Sequence, residues 1–218
     1  MRLVILALIF LMPSQFASAQ SRAVMEESTR YQACLTRIER EPQDAFEDAL
    51  TWRMQGGGWP ARHCEARALM ALGEISNAAD MLETLAVHGH FGPQDVTFQT
   101  RFLIEAGDAW LQDHQPANAR RAYLAGLALS PDHLDLLLGQ AGALSALQQW
   151  DDLRDLSNRL IDQAPYLAAS WRYRALAHLE LGALDYARSD IFSALERAPD
   201  DIDVLVLRGR ILDALRST

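Results

Sequence analysis

Three prolines, Pro131, Pro165 and Pro199, stand thirty-four residues apart, twice in succession. A fixed period of this length means that one small unit is copied along the chain. Such a unit is too short to bury a core alone, so its neighbours must stack on it. Ahead of each proline lie two amphipathic segments of helical length. The proline, which cannot continue a helix, punctuates the turn into the next unit. Half of the 218 residues are apolar, enough to fill the seams between stacked helices.

The three units align slot by slot. In residues 100–133 they read Leu103-x-x-Ala106-Gly107-x-x-Trp110, then Ala119-x-x-x-Tyr123, then Gly126 and Pro131. In residues 134–167 they read Leu137-x-x-Gln140-Ala141-x-x-Leu144, then Leu153-x-x-x-Ser157, then Leu160 and Pro165. In residues 168–201 they read Trp171-x-x-Arg174-Ala175-x-x-His178, then Ala187-x-x-x-Ile191, then Ala194 and Pro199. The pattern resembles the tetratricopeptide repeat: Trp-x-x-Leu-Gly-x-x-Tyr, then Ala-x-x-x-Phe, then Pro. The small residue of each first helix (Gly107, Ala141, Ala175) allows close approach of the second, and large residues fill the volume between. The Trp slot is met only by Trp171, so the array is a divergent one.

The resemblance implies an all-α fold, an α-solenoid of helix-turn-helix repeats wound as a right-handed superhelix. Residues 59–92 fit a further repeat, with Ala66, Leu69, Gly73 and Ala78-x-x-x-Leu82 in their slots and His90 in place of the proline. Residues 93–99 interrupt the period, and Pro93-Gln94-Asp95 reads as a helix start, so they are expected to lengthen the next helix. Residues 202–218 fit a first helix alone, with Leu205, Gly209 and Leu212 in the slots, as a C-terminal capping helix. Residues 20–58 form a degenerate N-terminal repeat with a turn at Pro42, and Gln55-Gly56-Gly57-Gly58-Trp59-Pro60 reads as a loop.

The first nineteen residues read as a cleaved secretory leader. Met1-Arg2 precedes an apolar run over residues 3–12, and Ala17-Ser18-Ala19 supplies a small-x-small cleavage site before Gln20. Ten apolar residues fall short of the ~20 that span a bilayer, so no stable membrane anchor is expected after cleavage. The style of leader suits the bacterial periplasm, with release from the cell as a further destination. Cys34 and Cys64 are the only cysteines, and in an exported chain they are expected to pair as a disulfide.

The formal charge is −9, becoming −10 when Arg2 leaves with the leader. A chain this acidic repels phosphate backbones, and nucleic acid is excluded as a partner. All twenty basic residues are arginine. No nucleophile–base set, phosphate loop or zinc-ligand spacing is present, so the expectation is a protein that is not an enzyme and carries no cofactor. His88-Gly89-His90 is the only close histidine pair, with His63 and Cys64 in the same unit, and it reads as an exposed turn. Asp151-Asp152 and Asp200-Asp201 read as helix-start charges. Trp110 and Trp171 fall in packing slots. Trp59 and Trp150 are candidate surface anchors for a partner.

A stack of helix pairs offers a concave face lined mainly by first helices. By register, Arg67, Arg101, Ile104, Asp108, Leu138, Arg172, Glu180, Asp203 and Arg210 are the candidate partner-binding residues, with Val206 beside them. The clamp of Lys and Asn with which some relatives capture a carboxylate terminus is missing: Ile104 and Asp108 stand there, and the chain has no Lys. The functional expectation is an exported scaffold or adaptor of the cell envelope that holds a peptide or helix of a protein partner. The alternatives are a periplasmic chaperone or assembly factor for unfolded or apo clients and, third, a metal-dependent enzyme.

Overall fold

A computed structural model describes residues 14–217, and the fold among them is all-α with no strand. Most of the leader, residues 1–13, lies outside the described residues. None of the described helices is long and apolar enough to cross a membrane. The chain divides into two compact units, Met1–Leu72 and Gly73–Thr218. The boundary falls inside the stretch that the period assigns to one repeat, residues 59–92.

The first unit holds α1 (Ser14–Ile38), α2 (Pro42–Met54) and α3 (Gly58–Ala71), each packed on the other two. Pro42 opens α2, where its missing N–H costs nothing. The expected loop over residues 55–60 is shorter than its composition indicated, because α3 already begins at Gly58 and takes Trp59 and Pro60 into its first turn. Proline is tolerated there because first-turn N–H groups have no partner within the helix. The glycine triplet has three separate uses. Gly56 (φ 91°) and Gly58 (φ 56°) adopt left-handed backbone. A Cβ on Gly57 would lie 2.4 Å from the indole of Trp52.

Tyr31, Trp52 and Ala61 form the core of this unit, with Leu35 and Trp59 packed against them. Trp59 sits edge-on to Tyr31 at 5.6 Å, so it is a packing residue rather than a free anchor. Tyr31 shares a 2.5 Å hydrogen bond with Nδ1 of the fully buried His63. Cys34 on α1 and Cys64 on α3 are joined as a disulfide with a Cα–Cα distance of 6.3 Å, inside the normal range.

The second unit is an α-solenoid: α4 (Ile75–His88), α5 (Asp95–Gln112), α6 (Pro116–Leu129), α7 (Leu134–Ala146), α8 (Trp150–Gln163), α9 (Ala168–Glu180), α10 (Leu184–Arg197) and α11 (Ile202–Arg216). Each helix packs on the next, and α5, α7, α9 and α11 also touch in succession. The residues that break the period form a 3-10 turn (Gly92–Gln94) and the start of α5, which runs eighteen residues against thirteen for α7 and α9. Asp95 accepts a hydrogen bond from the Phe91 N–H at 2.8 Å, and Phe91, Phe98 and Phe102 cluster together beside it.

The thirty-four-residue period is written into the backbone. Helices α5, α7 and α9 close on Gln115 N–H to Trp110 O, Gln149 N–H to Leu144 O and Ala183 N–H to His178 O, at 2.8, 3.0 and 2.8 Å. These are Schellman closures, which need one left-handed residue just past the helix. That residue is His114 (φ 57°), Gln148 (φ 58°) and Gly182 (φ 76°). The turns carrying the prolines repeat as well: Ser130, Ala164 and Ala198 donate to Gly126, Leu160 and Ala194. Side chains of a later helix then cover their carbonyls, with Arg197 and Trp171 donating to Pro165 O at 2.6 and 2.9 Å.

The small slots are closed as the period requires. Gly107, Ala141, Ala175, Ala119 and Ala187 are all buried, Gly107 against Tyr123, Ala141 in one cluster with Leu153, and Ala175 and Ala187 in one with Ile191. Trp150, at the start of α8, packs on the core around Leu137 and Leu153, so it too serves packing. Asp201 caps α11 by accepting from the N–H groups of Asp203 and Val204 at 2.9 and 3.2 Å.

Candidate partner-binding face

Helices α5, α7, α9 and α11 are the first helices of successive units and lie side by side in the second unit. Eight of the nine residues picked from register sit on them. Arg67 is exposed on α3, in the first unit.

The structure joins four of the eight in pairs across α9 and α11. Arg172 Nη1 approaches Asp203 Oδ2 at 3.9 Å, and Arg210 donates to Glu180 Oε1 at 2.5 Å. Arg172 also lies over the ring of Tyr173, 4.5 Å from its centroid. On α5, Arg101 bonds Glu105 at 2.9 Å, one helical turn away. Ile104 is half-buried, and Leu138 is half-buried against the α7–α8 core. Val206 is 59% exposed.

Asp108 has the most distinctive surroundings. Tyr123, from the fully buried slot of α6, donates its hydroxyl to Asp108 Oδ1 at 2.6 Å. The ring reaches that far because it runs between two glycines on different helices. A Cβ on Gly107 of α5 would stand 2.4 Å from Tyr123 Cε1, and one on Gly139 of α7 would stand 2.3 Å from it. Burial pushes the Asp108 carboxyl above its ordinary range. The Tyr123 bond opposes that shift, and the charges of Glu105 and Asp135 add to it. Burial and Asp108 together push the Tyr123 hydroxyl far up, so it remains a donor.

Sequence reasoning placed Tyr123 in a packing slot and missed its second role. The signal available was a tyrosine rather than phenylalanine in that slot, opposite two glycines. Tyr173 was missed too: its hydroxyl lies over Gly142 of α7, 3.4 Å from where a Cβ would stand. Among the described residues no three His, Cys, Asp or Glu side chains gather as a metal ligand set. His63, one candidate from sequence, is occupied by Tyr31.

No protein-family model and no curated protein matches the chain. Solved structures do. YrrB, described as a TPR protein with an unusual peptide-binding site, superposes with a TM-score of 0.64 at 13% identity, over 81% of this chain and 86% of that one. TTC0263, a thermophilic TPR protein of Thermus thermophilus, gives 0.52 at 20% identity over 91% and 95%. The first TPR of Spaghetti (RPAP3), bound to the HSP90 peptide SRMEEVD, gives 0.50 at 20% identity over 54% and 93%. At such identities the likeness is one of fold. The chain is an all-helical protein of the helix-turn-helix solenoid class. Within that class its fold is that of the tetratricopeptide repeat.

Proposed function

We propose that the chain is an exported protein-interaction scaffold of the cell envelope, which seats a peptide or helix of a partner on the face formed by α5, α7, α9 and α11. The observation that carries the reading is that face itself. Four first helices stand in succession and present charged groups (Arg101, Asp108, Asp203, Arg210) beside apolar ones (Ile104, Val206). Such a mixture reads a partner by charge and by apolar contact together. YrrB and the Spaghetti domain are peptide binders of the same fold, which supports a binding role here.

The Spaghetti peptide is acidic. In this chain Asp108, with Glu105 and Asp135 near it, favours a partner segment that brings a cation or a hydrogen-bond donor to that point. Export is supported by the leader pattern of residues 1–19 and by the Cys34–Cys64 disulfide, which persists in oxidising compartments.

The test is crosslinking in intact cells followed by affinity capture of the tagged protein, comparing the wild type with Asp108→Arg and Arg172→Glu. The expected result is one stoichiometric envelope partner that both substitutions release while circular dichroism shows both variants still folded at the temperature of the experiment. A partner that survives both would place binding elsewhere. A long series of sub-stoichiometric unfolded clients would replace the scaffold by a chaperone. Retention of the tagged chain in the cytoplasm would remove the exported part of the reading.

A further inference from the structure

Two arginines on α1, Arg30 and Arg37, stand in contrast. Arg37 donates to Glu41 at 2.9 Å, to Asp44 at 3.0 Å and to Asp48, so its charge is answered within the unit. Arg30 has no carboxylate partner among the described residues. Its guanidinium lies over the ring of Trp52, 4.9 Å from the centroid, and reaches only Gln55 Oε1, at 3.4 and 3.5 Å. Those lengths are the outer limit of a hydrogen bond, so the guanidinium fork stays open to a better acceptor.

Arg30 borders a cavity of about 480 Å³ between α1 and the turn from α2 into α3. That volume lies inside the ~300–1,000 Å³ range of small-ligand sites. Trp52 lines it too. The residue is only 4% exposed, yet its indole N–H has no acceptor among the described residues. A buried indole N–H ordinarily finds one. A Cβ on Gly57 would lie 2.4 Å from both Cδ1 and Nε1 of Trp52, so the N–H edge of the ring lies where Gly57 lines the same cavity. Glu26 and Glu27 line it from α1, exposed and without an ion pair among the described residues.

We infer that this cavity binds a small zwitterion carrying an α-ammonium and an α-carboxylate, as a free amino acid or a dipeptide does. Arg30 and the Trp52 N–H take the carboxylate, and Glu26 and Glu27 take the ammonium. An anion alone meets two carboxylates there, and a cation alone meets the guanidinium. A ligand with both charges answers every open group, through charge-assisted hydrogen bonds. The cavity belongs to the first unit, so the inference stands apart from the face proposed on the second.

A titration of the 15N-labelled chain, followed at the Trp52 indole N–H resonance, tests this, with the peak assigned through Trp52→Phe. The probes are L-alanine and L-alanyl-L-alanine, each raised to about 10 mM, a range that reveals millimolar affinity. The expected result is a saturable shift with at least one of them. Binding of alanine alone identifies a free amino acid as the ligand, and binding of the dipeptide alone identifies peptide ends. Removing one charge from the bound probe, by N-acetylation or by C-terminal amidation, is expected to weaken binding about tenfold or more. Arg30→Gln and the double variant Glu26→Gln/Glu27→Gln are expected to do the same. All three side chains are exposed, so the fold is kept, which circular dichroism verifies. No shift with either probe overturns the inference. So does a shift that survives Arg30→Gln, or capped probes that bind as well as the uncapped one.

Discussion

Tyr123 and Asp108 are joined by a 2.6 Å hydrogen bond that links a residue from the buried slot of α6 to a carboxylate on the exposed face of α5. Folding raises the Asp108 carboxyl, mainly through burial. A carboxyl raised in the folded state favours folding most below its unfolded value, and that advantage is lost as pH rises through the folded value. Tyr123→Phe removes the donor that moderates the shift. It is expected to cost ~1–2 kcal/mol at about pH 7, where the carboxylate is charged, and less near pH 4. Urea denaturation at both pH values measures the difference. An equal loss at the two would mean that the bond does not discriminate between the charged and neutral carboxyl.

Gly107 and Gly139 hold the Tyr123 ring between them. Alanine at either is expected to destabilise the second unit by ~1–3 kcal/mol through overpacking, although alanine is the better helix former. In a Tyr123→Ala background the same glycine substitutions should become neutral or stabilising. A double-mutant cycle with no coupling would show that the glycines serve some purpose other than the ring.

The left-handed turn slot is filled by glycine at Gly182 but by His114 and Gln148 in the two repeats before it. A side chain at φ near +60° costs ~1 kcal/mol, partly offset by the chain entropy that glycine loses on folding. Gln148→Gly and His114→Gly are each expected to stabilise by roughly 0.5 kcal/mol, and Gly182→Ala to destabilise by ~1 kcal/mol. Chemical denaturation midpoints at constant slope report these changes. A destabilised Gln148→Gly would point to a contact of that side chain worth more than the backbone relief.

Reduction of Cys34–Cys64 should act on the first unit. The chain-entropy relation for a separation of thirty residues gives a loss of ~3.5 kcal/mol. Hydrogen exchange with and without reductant should show protection falling in α1, α2 and α3. A fall spread evenly over α1 to α11 would mean that the two units unfold as one.

The solenoid was legible because its signal is periodic. Three prolines in register, with Gly107, Ala141 and Ala175 in the small slots, fix where helices pair without any knowledge of side-chain contacts. The start of α3 was less legible, because Gly58, Trp59 and Pro60 have the composition of a loop and become helical only through the tolerance of a first turn for proline. The division at residue 72 leaves no mark in a period that runs across it. The Tyr123–Asp108 bond was hidden for a different reason. It needs two glycines thirty-two residues apart in the sequence to meet on opposite sides of one ring. The register placed eight residues on one set of helices. It could not show that Arg172, Asp203, Glu180 and Arg210 satisfy one another there.

The disulfide ties α1 to α3 and leaves α2 within the loop between them. Under tension applied along the chain, load therefore passes from Cys34 straight to Cys64, and the intervening segment carries none of it. A stretched molecule would be short by roughly 100 Å of contour, at ~3.5 Å for each of those residues. Under such a load α2 is a helix shielded from mechanical work as long as the sulfurs stay oxidised.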